Sequence, residues 1–183
     1  MGRLVMWNMM TLDGRFEGPA AWALEWHQDA WNDELEQLSI DQLDTAGLLL
    51  FGRRTYQGMA AYWSTATGPV AERMNSIPKV VVSRTLERAE WTNTTLVGDE
   101  PAAAVADLKA RTARDLFVFG SAQLSAALIR AGLFDEYRIG LCPTLLGAGR
   151  PLFPPDLDRS RLALLEARPL RSGCVILRYA PAG

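Results

Sequence analysis

Two arginines and a threonine directly follow a glycine in Leu48–Tyr56, LLLFGRRTY, an order of residue types suited to holding an anion. The large apolar residues before Gly52 read as a strand buried on both faces, as in a parallel sheet between helix layers. Gly52 would let the backbone turn sharply where that strand ends. A helix opening at the next residue would aim unpaired N–H groups and partial positive charge at the same point. Arg53, Arg54 and Thr55 would then complete a phosphate site. Three other strand ends carry related signals: Asn8–Asp13, Ser83-Arg84-Thr85 and Gly120-Ser121-Ala122-Gln123. Ligands of open α/β sheets gather at the carboxyl ends of strands. Two glycine turns before two helices could therefore share one pyrophosphate, with Arg84 adding a charge-assisted contact to a terminal phosphate. Ser83 or Ser121 alone reads as a turn or cap residue.

Several chemistries are excluded. The chain has no G-x-G-x-x-G fingerprint, no Walker A sequence and no G-x-S-x-G elbow. His27 is the only histidine, so a multi-histidine metal site is out; among Trp26, Gln28 and Asp29 it reads as a packing or surface residue before a catalytic one. Cys142 and Cys174 lack metal-ligand spacing and are expected to be buried free thiols. A formal charge of −2 argues against a general nucleic-acid binder. No apolar run reaches the roughly 18 residues of a membrane span, and the N-terminus carries no cleavage pattern; cytoplasm is the expected location. With 183 residues, 49% of them apolar, residues 1–183 read as one domain with a substantial core.

The elements that must position these residues alternate. Leu4–Met10 reads as a first strand leaving through a turn at Leu12–Arg15. Pro19 to Leu43 has helical character, with Trp22, Trp26, Ala30 and Trp31 recurring four or five apart and Leu35 and Leu38 extending the stripe. Gly47–Phe51 is a strand, Arg54–Tyr62 a helix, Pro78–Arg84 a strand and Trp91–Val97 a further candidate. Pro101–Arg111 is a helix with proline near its first turn, Asp115–Phe119 a strand, and Ala122–Ala131 a helix closed by Gly132 at C′. Glu136–Cys142 is a strand, followed by a Gly- and Pro-rich loop, Pro143–Pro155. Leu162–Leu170 and Cys174–Tyr179 form a hairpin around Arg171–Gly173. Alternating β and α with a hairpin tail is a three-layer α/β pattern.

These residues carry a resemblance. Gly52-Arg-Arg-Thr-Tyr56 resembles the G-R-x-T-[YW] segment of dihydrofolate reductases. Phe119–Phe153 resembles the C-terminal reductase domain of the riboflavin-biosynthesis protein RibD, Leu12–Arg15 fits that domain's S-L-D-G-[KR] start, and Pro78–Arg84 fits its third strand. The match covers nearly the whole chain in order. It implies a dihydrofolate reductase-like fold, three α/β/α layers around a mostly parallel central sheet ending in an antiparallel hairpin, that binds NADPH. By position, Gly52, Arg53, Arg54, Thr55, Gly120, Ser121, Ala122, Gln123 and Leu124 would line the pyrophosphate. Ser83 and Arg84 would lie near the adenosine 2′-phosphate, and Thr11, Asp13 and Gly14 near the nicotinamide. Two departures stand out: Gly120-Ser121 replaces the usual Gly-Gly, and the acidic residue that bonds the pterin from the first helix has several candidates, Glu25, Asp29 and Asp33 beside Glu34 and Glu36. The zinc-ligand spacing of RibD's deaminase domain does not occur in these residues.

The implied reaction is hydride transfer to a C=N or C=O carbon, the protein supplying position and electrostatics. Trp22 and Trp26, with Trp31, Tyr62 and Trp63, could wall a flat heterocycle, although core is the commoner fate of aromatics at helical spacing. Two alternatives stay open. One is a riboflavin-pathway 5-amino-6-(5-phosphoribosylamino)uracil reductase, whose second phosphate site would fall in Thr144–Pro151, with Gly147, Gly149 and Arg150. The other is a nucleotide-binding module without turnover. The resemblance also implies a homodimer paired through the late strands Arg138–Cys142 and Cys174–Tyr179, with small molecules rather than nucleic acid or membrane as other partners.

Overall fold

The computed structural model describes residues 1–98 and 100–182. In chain order the elements are β1 (Leu4–Thr11), β2 (Arg15–Glu17), α1 (His27–Ala30), α2 (Asp33–Thr45), β3 (Ala46–Gly52), α3 (Arg53–Trp63), α4 (Pro69–Ser76), β4 (Lys79–Val82) and β5 (Thr94–Val97). They continue as α5 (Pro101–Arg111), β6 (Asp115–Phe119), α6 (Ala122–Arg130), β7 (Glu136–Cys142), β8 (Arg150–Pro151), β9 (Leu162–Pro169) and β10 (Val175–Pro181). The eight-stranded sheet has the order β5-β4-β3-β6-β1-β7-β10-β9. The strands from β5 to β7 in that order run parallel, and β10 is antiparallel to both β7 and β9. Sheet and helices together form the dihydrofolate reductase-like α/β fold.

Alternating side chains of the central strands feed two cores. From β1, Val5 and Trp7 join Phe51 and Phe117 beneath Leu35 and Leu43 of α2, Tyr56 of α3 and Val70 and Met74 of α4. Leu4 and Met6 point the other way, joining Leu50 and Val118 under Val105 of α5 and Leu124 and Leu128 of α6. Burial on both faces is why these strands read as unbroken apolar runs.

The stretch expected to be helical from Pro19 to Leu43 is not one helix. Only His27–Ala30 and Asp33–Thr45 are helical. Trp22 instead sits in the left-handed region at φ 64°, its N–H donating to Glu17 Oε1 at 2.6 Å, and Gly18 N–H bonds Ala23 O. Asn32 breaks the pattern again: its backbone is extended and its side chain accepts from Leu35 N, starting α2 afresh. Helix α4 and the β2–β8 pair are also present, and the sequence patterns above do not announce them. Gly132 does terminate α6 at φ 64°, with Gly132 N–H to Ile129 O and Leu133 N–H to Leu128 O, a Schellman pair.

The β7 side holds a buried ion cluster and an exposed sheet edge. Glu136 is buried and accepts from Arg138 Nε and Arg178 Nε, both at 2.6 Å, and from Arg3 Nη1 at 3.0 Å. Arg138, itself buried, lies over the Phe117 ring and donates to Gln42 Oε1 on α2. Beyond, β9 is the sheet's edge strand and exposes Leu162, Leu164 and Leu165. Cys142 at the end of β7 and Cys174 just before β10 are free, buried and in contact. Burial and the neighbouring sulfur push the Cys142 thiol up, so it stays protonated.

Candidate functional site

A cavity of about 1070 Å³ opens at the carboxyl ends of β1, β3, β4 and β6. This is where the parallel strands hand over to helices on opposite faces of the sheet, the usual place for a ligand in such folds. Gly52–Thr55, Ser83, Arg84 and Gly120–Leu124 all face it.

The first turns of α3 and α6 meet here and are tied to each other. Gly52 N–H donates to Ser121 Oγ and Ser121 N–H donates to Thr55 Oγ1, each at 2.9 Å. Neither helix has a side-chain cap or a carboxylate in its first turn. Gly120 and Ser121 both adopt left-handed conformations, at φ 54° and 58°. Ser121 holds this conformation with its hydroxyl engaged at the junction: it accepts from Gly52 N–H and donates to Phe119 O. Gly120 is bound more tightly to its identity, since a Cβ there would meet Thr55 Cγ2 at 3.0 Å. Gly52 does not turn in the manner its type predicts. Its φ of −79° and ψ of 161° are ordinary extended values, and a Cβ would meet its nearest neighbour at 3.7 Å. The turn is made by the helix start, not by glycine's freedom.

At the end of β4, Ser83 Oγ accepts from Thr85 N and Leu86 N, a turn-capping role. Arg53 reaches across to Thr85 Oγ1 at 2.7 Å. Among the described residues, Arg53, Arg54 and Arg84 join none of the ion pairs, which lie elsewhere. The start of α5, at Glu100 and Pro101, completes this wall.

The opposite wall is built by β1 and α1 to α4. Trp7, Trp31, Met59 and Trp63 line it with His27, Leu35 and Gln42. Of the aromatic residues singled out from sequence, Trp22 lines the cavity, whereas Trp26 is sealed in the core and Tyr62 points to solvent. Glu25, Asp29 and Asp33 do not line the cavity; Asp29 and Asp33 border a separate hollow with Arg171. Thr11, Asp13 and Gly14 are likewise outside the lining. Thr11 Oγ1 donates to Asp13 Oδ1, and the Asp13 carboxylate accepts from Gly147 N and Leu146 N, anchoring the loop after β7. The Thr11 hydrogen bond leads in holding the Asp13 carboxyl below its usual range.

Two residues here go beyond what the sequence suggests: Asn8 figures there only as the start of the strand-end segment Asn8–Asp13, and Glu17 does not figure at all. Asn8, buried in β1, has no protein partner for Nδ2 among the described residues. It follows Trp7, the last residue that pairs with β6, so it lies where the two strands part. Glu17 faces the cavity, holding Trp22 N–H and pairing with Arg150 at 3.3 Å. A buried amide after an apolar run was the available signal for Asn8. Glu17 had none, since β2 itself was unannounced.

Trp22 is seated by a missing side chain. A Cβ on Gly58 of α3 would lie 2.5 Å from three atoms of the indole. In an open helix Gly→Ala stabilises by about 1 kcal/mol; here the methyl must evict the ring. Gly58→Ala is therefore expected to leave the melting temperature nearly unchanged while freeing Trp22. Acrylamide quenching that drops back when Trp22→Phe is added would show it, and unchanged quenching would refute the contact.

Residues 3–176 match the RibD C-terminal domain family. The chain belongs to that family. Uncharacterized protein YyaP of Bacillus subtilis (strain 168) is 29% identical over 185 residues, covering 97% of this chain and 94% of its own. Among solved structures, a provisionally assigned riboflavin biosynthesis protein of Shewanella sp. PV-4 superposes with a TM-score of 0.81 at 19% identity, covering 99% of each chain. The dihydrofolate reductase of Enterococcus faecalis, solved as a complex with NADP(H), gives a TM-score of 0.68 at 15% identity and covers 100% of this chain and 98% of its own. The fold is thus common to family members and to dihydrofolate reductase. No helix among the described residues is long and apolar enough to cross a membrane.

Proposed function

We propose that this chain is an NADPH-dependent reductase that delivers a hydride to a C=N or C=O carbon of a small, planar heterocyclic or carbonyl substrate. One observation carries the reading. The first turn of α3 holds Arg53 and Arg54 and no carboxylate, and it faces the equally uncapped start of α6 across one cavity. Cations at a helix N-terminus oppose its dipole by roughly 0.3–1 kcal/mol each; a diphosphate between the two helices turns that opposition into attraction. In this reading Gly52–Thr55 and Gly120–Leu124 hold the pyrophosphate and Arg84 the 2′-phosphate. The buried Asn8 amide pairs with the carboxamide of the nicotinamide ring. When bound, the cofactor supplies the hydride; the protein fixes the ring against the aromatic wall and keeps water from it.

Titration of the full chain with NADPH and with NADH, followed by tryptophan quenching, tests the reading. NADPH should bind at least tenfold tighter, and Arg84→Ala should remove about 1.5–3 kcal/mol of NADPH affinity while leaving NADH unchanged. Equal losses for both cofactors would remove Arg84 from the phosphate site, and no binding of NADPH would end the proposal.

A second reading, the phosphoribosylamino-uracil reductase, is favoured by Arg150, which faces the cavity from the loop after β7. Oxidation of NADPH by that pyrimidine but by no unphosphorylated one would establish it. The same family likeness carries a homodimer, but not through Arg138–Cys142 and Cys174–Tyr179 as expected, since β7 and β10 are interior strands paired on both sides; a second copy would lie along the edge strand β9, covering Leu162, Leu164 and Leu165. Light scattering should then read twice the 20.2 kDa of one chain; a monomer at micromolar concentration would refute it.

A further inference from the structure

The antiparallel end of the sheet sets the two cysteines of the chain opposite each other. Strands β7 and β10 pair Val175 with Leu141 and Ile176 with Gly140. One residue further in that register, Cys174 faces Cys142. Cys174 O accepts from Leu170 N–H on the β9 side, and a strand residue aims its N–H and C=O in the same direction. The cysteines are therefore a non-hydrogen-bonded pair, the kind whose Cα atoms approach to about 4.5 Å. A disulfide needs roughly 4.4–6.8 Å between Cα atoms, so the backbone already meets its requirement. The Sγ atoms are in contact at 2.8 Å, packed with Trp7, Leu35 and Ile176 in one core.

Both thiols are buried, yet each lies one residue below the surface. Cys142 is followed by Pro143 and Cys174 is preceded by Gly173; both neighbours are exposed, and a Cβ on Gly173 would meet Pro143 Cγ at 3.3 Å. The turn before Cys174 is held by Leu170 N–H to Cys174 O, Gly173 N–H to Leu170 O and Arg171 N–H to Glu34 Oε2 of α2. Opening so short a turn costs far less than unfolding the chain, and it uncovers Cys174 to a molecule as small as hydrogen peroxide. A protonated thiol is a poor nucleophile, so the first oxidation is slow. The second step is fast, because the partner sulfur is already in contact.

We propose that Cys142 and Cys174 form a redox-active dithiol, closed by a peroxide to a reversible disulfide within the folded chain. The Cys174 sulfur, as thiolate, attacks one peroxide oxygen; the O–O bond breaks, leaving a sulfenic acid, and the other oxygen departs as water. The Cys142 sulfur then attacks the Cys174 sulfur; the S–S bond forms, the S–O bond breaks, and a second water departs. Two thiols and one hydrogen peroxide thus become one disulfide and two waters, the two electrons passing from sulfur to the peroxide oxygens. Contact between the sulfurs favours this closure over further oxidation to a sulfinic acid. The bond joins the end of β7, where the loop carrying Arg150 departs, to the turn that Glu34 fastens to α2. It therefore staples the antiparallel end of the sheet whatever the cavity holds.

The test exposes the folded full-length chain to hydrogen peroxide, traps the remaining thiols in urea with N-ethylmaleimide, and maps the cysteine peptides by mass. Both thiols should disappear together, and a linked Cys142–Cys174 peptide should appear about 2 Da lighter than the sum of its two thiol peptides. Closing the loop should raise the melting temperature by about 5–15 °C, and dithiothreitol should restore the starting value. Cys142→Ala should show neither the link nor the rise; a rise equal to that of the wild type would overturn the proposal. The wild-type chain decides the matter even if that variant folds poorly. Thiols that resist peroxide until urea is added, oxygen added to either cysteine in place of the link, or a linked chain that melts no higher overturns the proposal.

Discussion

Glu136→Gln is expected to cost the fold about 3–5 kcal/mol, the usual penalty for leaving a buried charge without its partner. Arg138 is the charge left behind: it is buried, stacked over Phe117, and the amide of glutamine cannot balance it. Arg3 and Arg178 reach toward solvent and can relax, but Arg138 cannot. Its second contact, to Gln42 Oε1, ties the ion cluster to α2, so the lesion should be felt on the aromatic side of the cavity as well. Urea unfolding monitored by circular dichroism measures the loss; a change below about 1 kcal/mol would mean that solvent reaches Arg138 after all. The same cluster sets an acid limit. Burial alone would raise the Glu136 carboxyl, but hydrogen bonds from Arg178 and Arg138 and their charges outweigh it and hold it down at about 2 rather than 4.5. A lowered carboxyl stabilises the fold fully above the ordinary value, and that stability is lost as pH falls from 4.5 toward 2. The wild-type chain should therefore lose stability steeply across that window, and the Glu136→Gln variant less steeply.

Gly120→Val is the second severe substitution. At φ 54° a β-branched side chain meets its own backbone, at about 1–2 kcal/mol, and its Cβ starts 3.0 Å from Thr55 Cγ2. Thr55 must move, and with it goes the acceptor for Ser121 N–H. Strain and the orphaned donor together should lower stability by about 2–4 kcal/mol. NADPH binding should fall at least a hundredfold, because α3 and α6 no longer present their first turns to the same point. Gly52→Ala is the control: its extended backbone and 3.7 Å clearance tolerate a methyl for the apo fold. Matching melting temperatures for wild type and Gly52→Ala, against a large drop for Gly120→Val, would confirm the distinction; a stable, NADPH-binding Gly120→Val protein would contradict it.

Legibility followed physical locality. Strands buried on both faces, such as β3 and β6, declare themselves as apolar runs, and Gly132 declares the end of α6 because only a residue at ease with positive φ suits C′. The two helix starts that follow glycines were readable as well: α3 begins at Arg53 and α6 at Ala122, beside the expected Gly52 and Gly120. What stayed hidden depends on contacts distant in sequence. Trp22, Trp26 and Trp31 imitate a helical stripe, but a hydrogen bond from Trp22 N–H to Glu17 and the empty space at Gly58 bend that segment over the cavity instead. The Glu17–Arg150 pair spans β2 and β8, two strands too short to show a period. Asp13 reads as a site residue by motif, yet its carboxylate is occupied by backbone N–H groups of a loop more than a hundred residues away.

The crossed hydrogen bonds among Gly52, Ser121 and Thr55 do more than join two loops. Because both helix starts are fastened to the same serine, their separation is set before any ligand arrives. Little ordering entropy is then left to lose on association. The pair behaves as a calliper with a fixed gap: an anion long enough to touch both jaws gains from each, while one phosphate can satisfy only one. Discrimination between dinucleotides and mononucleotides would then reside in the stiffness of a hydroxyl bridge rather than in any residue that reads a base.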